Sequence, residues 1–143
     1  MNSVITDRQN GLIINAIKSE LFSSNCSSLI AIYIFGSFAS ENITSESDID
    51  IAILTISEYS VVAFWEAAQN IAAKIKRDVD LINLRNASTV MRMEVISKGK
   101  RIYCADADYC ETYEDYIFSS YARLNEERRE IMTDIQSRGS VYG

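Results

Sequence analysis

The chain has no histidine and no proline in 143 residues, only three cysteines, and five glycines to punctuate it. The missing histidine removes the histidine-based triads, the common zinc sites and imidazole acid–base schemes. Catalysis, if there is any, runs on carboxylates, Lys, Arg, Ser, Tyr or a bound metal. Cys26, Cys104 and Cys110 are an odd number at no metal-like spacing, and read as reduced thiols of a reducing compartment. No apolar run approaches the ~20 residues of a membrane helix. The start, "MNSVITDRQNGL", lacks the basic segment and apolar core of a secretory leader. A cytoplasmic protein without membrane contact is the expectation. A net charge of −6 suits direct nucleic-acid binding poorly, because affinity for the phosphate backbone comes from neutralising it.

The hydrophobic fraction is 48% and the charged fraction 24%, the usage of one ordinary globular domain. Thr6-Asp7-Arg8-Gln9 has the form of a capping box, followed by Leu12, Ile13, Ala16, Ile17 and Leu21 at helical spacing. "LIAIYIF", Leu29 to Phe35, is apolar enough for a central, doubly covered strand. Asp48 to Leu54 alternates as a second strand. Ser57 is placed to cap a helix with the stripe Val61, Phe64, Trp65, Ala68, Ile71, Ala72 and Ile75. "RDVDLINL", Arg77 to Leu84, is a third strand. Ser88 to Ser97 is a short helix, with Gly99 placed to take a left-handed terminal position. "RIYC" is a short extended piece. A long helix is expected from Asp106 to about Gln136, with Tyr113, Tyr116, Ile117, Tyr121, Leu124, Ile131 and Ile135 near one stripe and a frayed tail behind it. The fold class is α/β (α+β), a small mixed sheet flanked by helices. All 143 residues form one domain, its core about 10–105 and its C-terminal helix about 106–136.

The chemistry concentrates in "GSFASENITSESDID", Gly36 to Asp50. A Gly-Ser pair at a strand end is either a plain turn or a place where backbone N–H groups approach phosphate. Asp48 and Asp50 project to one side of their strand while Ile49, Ile51 and Ile53 enter the core. Like charges held together raise each other's pKa. They suit either a solvated edge bridged by Lys or Arg, or a divalent cation with phosphate oxygens. Asp78 and Asp80 repeat the pattern. If their strand lies beside the second one, one of these acids completes a carboxylate triad able to hold two ions for phosphoryl chemistry.

Gly-Ser, ten residues, Asp-x-Asp and a later "VDL" together resemble the signature of the polymerase-β-like nucleotidyltransferase superfamily. The length, and "KGKRIYC" after a short helix, resemble its minimal members. Those are the MNT-domain antitoxins encoded with HEPN-domain toxins. The resemblance implies that Gly36 and Ser37 cradle the nucleotide phosphates. It implies that Asp48 and Asp50 bind Mg²⁺, two ions being expected, and that Asp80 is a metal ligand or the base toward the incoming hydroxyl. Asp78, at the strand's start, is expected to pair with Lys76 or Arg77. The implied activity is transfer of AMP from ATP to a tyrosine of a cognate HEPN ribonuclease toxin, with release of pyrophosphate. One departure stands out. Many members carry a basic residue and a second glycine soon after Gly-Ser, whereas this chain has Phe38, Ala39, Ser40 and Glu41. Arg77, Arg85 and Arg92 are candidate substitutes for that charge. Two alternatives remain open: an antitoxin that neutralises its toxin by binding alone, and a small-molecule nucleotidyltransferase of the aminoglycoside type.

The second Asp-x-Asp, Asp106 and Asp108, opens the long helix and reads as capping. Five of the eight tyrosines fall between Tyr103 and Tyr121. They read as the core face of that helix, or as part of a protein interface.

Overall fold

The structure is a computed structural model that describes residues 7–23, 26–36 and 48–142. Thr6 and Ser37, both singled out above, lie outside the described residues.

The longest uninterrupted apolar segment sets the centre of the fold. β1 (Leu29–Phe35) is buried at all seven positions, as its unbroken apolar run predicts. Each fully buried Ile or Leu contributes about 1.5–3 kcal/mol of apolar transfer. β2 (Ile49–Thr55) runs antiparallel beside it. A helix, α2 (Val61–Ile75), then carries the chain to β3 (Val79–Asn83), which pairs parallel with β2. Parallel neighbours require such a crossover. On the other side of β1 lies antiparallel β4 (Lys100–Cys104). The mixed sheet has the order β3-β2-β1-β4.

Both faces of the sheet are covered. α1 (Asp7–Leu21) and α2 bring Ile13, Ile17, Phe64 and Ile71 against Ile32, Ile34, Ile51 and Ile53. On the opposite face α3 (Thr89–Lys98) and α4 (Ala107–Tyr142) bring Val95 and Cys110 against Ala31, Tyr33, Phe35, Ala52 and Leu54. β2 is therefore buried on both sides from Ile51 onward. Its alternation of acid and isoleucine holds only at its first two residues.

Several local expectations change. Ser60, not Ser57, caps α2, its side chain accepting from Ala63 N at 3.0 Å. Ser57 instead donates its backbone N–H to Thr55 Oγ1. Val61 and Trp65 are 81% and 63% exposed; the buried stripe of α2 is Phe64, Ala67, Ala68 and Ile71. Val61 stands in the open first turn, and Trp65 one residue round from Phe64. α3 begins after Ser88, which accepts from Met91 N. Gly99 has an ordinary φ of −84°, so left-handed capping is not its role. A Cβ there would run into Val95 O and come within 2.9 Å of Ile34 O. The glycine lets α3 turn directly onto the sheet. α4 begins where expected, with Asp106 Oδ1 accepting from Tyr109 N at 3.2 Å, but it continues to Tyr142 rather than ending near Gln136.

Within that second face, the Tyr33 hydroxyl donates to Glu114 Oε2 at 2.7 Å, and Arg101 Nη1 donates to the same oxygen at 2.9 Å. The three residues lace β1, β4 and α4 together. Burial, then the Glu114 contact, pushes the Tyr33 hydroxyl far above the usual phenol range. Cys104 and Cys110 are free thiols with their sulfurs 3.0 Å apart.

Candidate functional site

Gly36 closes β1 with φ at +71°, a left-handed conformation that costs an L side chain about 1–2 kcal/mol. The position is also spatially closed. A Cβ on Gly36 would overlap Asp50 Oδ2 and lie 3.1 Å from Asp50 Cγ. The glycine therefore makes room for a carboxylate of the neighbouring strand. That carboxylate is where it is because Asp50 pairs with Phe35 in the antiparallel register.

The parallel register does the rest. Asp50 stands opposite Asp80, and Ile49 opposite Val79. Ile49 and Val79 share the α1–α2 core, which puts Asp50 and Asp80 together on the other face. Adjacent strands lie about 4.8 Å apart, within the span of one bridging cation. Asp48 precedes β2 by one residue and shares Asp50's side of the strand. Asp78 is the acid left out of the pairing. It stands before β3, its carbonyl accepting from Ile49 N at 2.9 Å.

Asp50 is half-buried, whereas Asp48 and Asp80 are exposed. Burial foremost, then the charge of Asp80, then that of Asp48, holds the Asp50 carboxyl above its usual range. The ion pairs Lys74–Glu20, Lys98–Glu94 and Arg101–Glu114 do not reach these three acids. Two of the three acids are solvent-exposed, and among the described residues no ion pair bridges them to a base. The donor set is all oxygen, with a carboxylate under repulsion at its centre, and that fits a hard divalent cation. Among the described residues no three such side chains are drawn tightly enough to hold a metal as they stand. The backbone register, rather than a closed ligand cage, brings them together.

Two of the three arginines considered for the missing positive charge are engaged elsewhere. Arg92 donates from Nε to Leu84 O and from Nη2 to Arg85 O, both at 2.7 Å, and Arg85 Nη1 donates to Ile56 O. They brace the 3-10 turn Leu84–Asn86 against its neighbours. Arg77 lines a cavity with Lys74, Lys76 and residues of α1, toward the α1–α2 side rather than the acid face. The Tyr33–Glu114–Arg101 lacing, which holds α4 against the strand that carries Gly36, was not foreseen. The one signal for it was a lone tyrosine in an otherwise aliphatic and phenylalanine strand.

Residues 15–108 match the sequence family "Polymerase beta, Nucleotidyltransferase". The protein adenylyltransferase MntA of Shewanella oneidensis is 36% identical over 118 residues, which are 82% of this chain and 84% of that protein. A crystal structure of a toxin–antitoxin with AMP-PNP superposes with a TM-score of 0.76 at 34% identity, over 89% of this chain and 98% of the other. A structure of tri-AMPylated Shewanella oneidensis HEPN toxin in complex with MNT antitoxin gives a TM-score of 0.72 at 32% identity, over 92% and 99% of the two chains.

Proposed function

The chain belongs to the polymerase beta nucleotidyltransferase family, and from that premise we propose that it is a protein adenylyltransferase acting on a HEPN-type toxin. The observation that carries the reading is the pairing of Asp50 with Asp80 beside Gly36. One half-buried and two exposed acids share that edge of the sheet, without a basic partner among the described residues. The adenylyltransferase activity of a relative 36% identical, and the AMP-PNP and AMPylated-toxin complexes of structural relatives, support the same assignment.

In this reading ATP lies with its phosphates over Gly36 and Ser37. Asp48, Asp50 and Asp80 would hold Mg²⁺, which when bound would neutralise the triphosphate and favour the leaving pyrophosphate. A tyrosine hydroxyl of the toxin attacks the α-phosphorus. The new bond joins the tyrosine oxygen to phosphorus, and the bond to the β-phosphate oxygen breaks. Asp80, exposed and in register with Asp50, is the acid to which this reading gives the hydroxyl proton or a share of the cation. The product is an AMP-tyrosine that places negative charge and bulk on the toxin. The finding that Arg85 and Arg92 are committed to backbone carbonyls favours a second reading, neutralisation by binding alone, because it leaves the sequence Phe38-Ala39-Ser40-Glu41 without those substitute cations.

The test mixes purified protein, its cognate HEPN-type toxin, ATP and Mg²⁺, and weighs the toxin by intact mass spectrometry. A gain of whole AMP units, abolished in Asp48→Ala/Asp50→Ala and by EDTA, is the expected result. An unchanged toxin mass with toxicity still neutralised assigns the second reading.

A further inference from the structure

The stripe on α4 does not stop where the domain stops. Ile117 is 1% exposed against the sheet, and Tyr121 and Leu124 are partly covered. The same spacing of four and three then continues through Arg128, Ile131 and Ile135. Residues 126–137 are exposed without exception. At 1.5 Å per residue this is roughly 18 Å of helix beyond the core. Ile131, Met132 and Ile135 are each more than half exposed there. A 3.5-residue apolar repeat is the seam of a helix that packs on another helix, and among the described residues nothing covers this part of it.

We propose that the distal half of α4 is a docking arm for a helix of the protein's HEPN-type partner, one carrying a basic flank and an acidic or amide side chain opposite Arg128. This rests on the function proposed above for the identity of the partner, and on the helix for its chemistry. Charge selects the occupant. In a parallel pair of identical α4 helices, Arg128 would face Arg128 at the same seam position. In an antiparallel pair centred there, the flanking Glu127 residues would face each other. Both self-pairings set like charges together. A partner helix with Lys or Arg along the Glu127 edge relieves both, and its apolar stripe covers Ile131, Met132 and Ile135. α4 runs alongside β1 in the same direction, with Cys110 at Ile30 and Glu114 at Tyr33, so its distal half leaves the sheet at the end that carries Gly36 and Asp50, and a partner held there lies near the carboxylates.

The experiment uses the full chain and its cognate HEPN-type toxin. Sedimentation of the chain alone is expected to give a monomer. Calorimetric titration with the partner is expected to weaken roughly 30-fold or more in Ile131→Glu/Ile135→Glu, as the loss of two anchor side chains implies. Arg128→Glu is expected to weaken binding by about tenfold, with wild-type binding falling as salt rises. Circular dichroism melts matching wild type establish that the variants are folded, since all three sites are exposed. Unchanged affinity in the double variant, no binding by the wild type, or a wild-type dimer dissolved by the same substitutions overturns the inference. AMP transfer is read in parallel on the wild type. Seam-dependent binding without transfer refutes only the proposed activity; transfer with seam-independent binding refutes only the docking arm.

Discussion

Asp50→Asn stabilises the cation-free protein. The carboxylate sits half-buried against Gly36, opposite Asp80 on one strand and near Asp48 on its own. Like charges at facing strand positions cost about 0.2–1 kcal/mol per pair. With two acidic neighbours, and a discount for solvent screening of exposed partners, the relief comes to about 1 kcal/mol. Asn keeps the shape that Gly36 accommodates. For a chain of this size that raises Tm by roughly 3–5 °C. The sign reverses with cation. Mg²⁺ and nucleotide at 100 times their dissociation constant stabilise the wild type by about 2.7 kcal/mol, and the variant by much less. Scanning calorimetry in EDTA and in Mg²⁺-nucleotide therefore gives two melting orders that cross. The pH dependence has a definite direction as well. Asp50 binds its proton more tightly folded than unfolded, because its pKa is raised. Its contribution to cation-free stability is fully present below the unfolded carboxyl pKa and is lost as pH rises through the elevated folded one. The Asn variant lacks that decline. A variant less stable than wild type in EDTA, or an equal gain from Mg²⁺ in both, refutes the reasoning that these acids are assembled for a cation.

Three further substitutions follow from the packing. Gly36→Ala meets both the positive φ and the Asp50 carboxylate; a loss of about 2–3 kcal/mol in urea denaturation is expected, with AMP transfer abolished and partner binding retained. Gly99→Ala has no φ penalty, yet its Cβ meets the carbonyls of Val95 and Ile34. About 1–3 kcal/mol of stability is expected to go, with the transfer rate of the remaining folded protein close to wild type. Tyr33→Phe removes a buried donor to Glu114 while Arg101 keeps that carboxylate paired. A cost of about 1–2 kcal/mol is expected, and hydrogen exchange is expected to rise first in the early turns of α4.

What the sequence made legible was face and type, and what it hid was partnership. β1 is read to the residue because a seven-residue apolar run leaves no other option. The acids of β2 and β3 show which side they take, since period-two alternation reports a face. Which of Asp78 and Asp80 meets Asp50 depends on strand order and register, and both are fixed by the crossover through α2 and by the Ile49–Val79 contact in the core. Val61 and Trp65 fit a helical stripe by spacing but stand outside the arc that the sheet covers. Gly99 was legible as a necessary glycine and misread in its reason. Its constraint is two carbonyls, that of Val95 in its own helix and that of Ile34 in β1, and the second lies more than 60 residues away in sequence, where local turn chemistry has no view.

The fit of Asp50 into the space beside Gly36 has a consequence for genetics. An inactive Gly36→Ala protein would ordinarily be scored as a damaged phosphate cradle. In this chain the added methyl first displaces a carboxylate, so the turn and the acid form one epistatic unit although they lie on different strands. Introduced into an Asp50→Ala background, Gly36→Ala meets only the backbone penalty, and the two lesions combine to less than their sum. A cell carrying either one has lost the same thing.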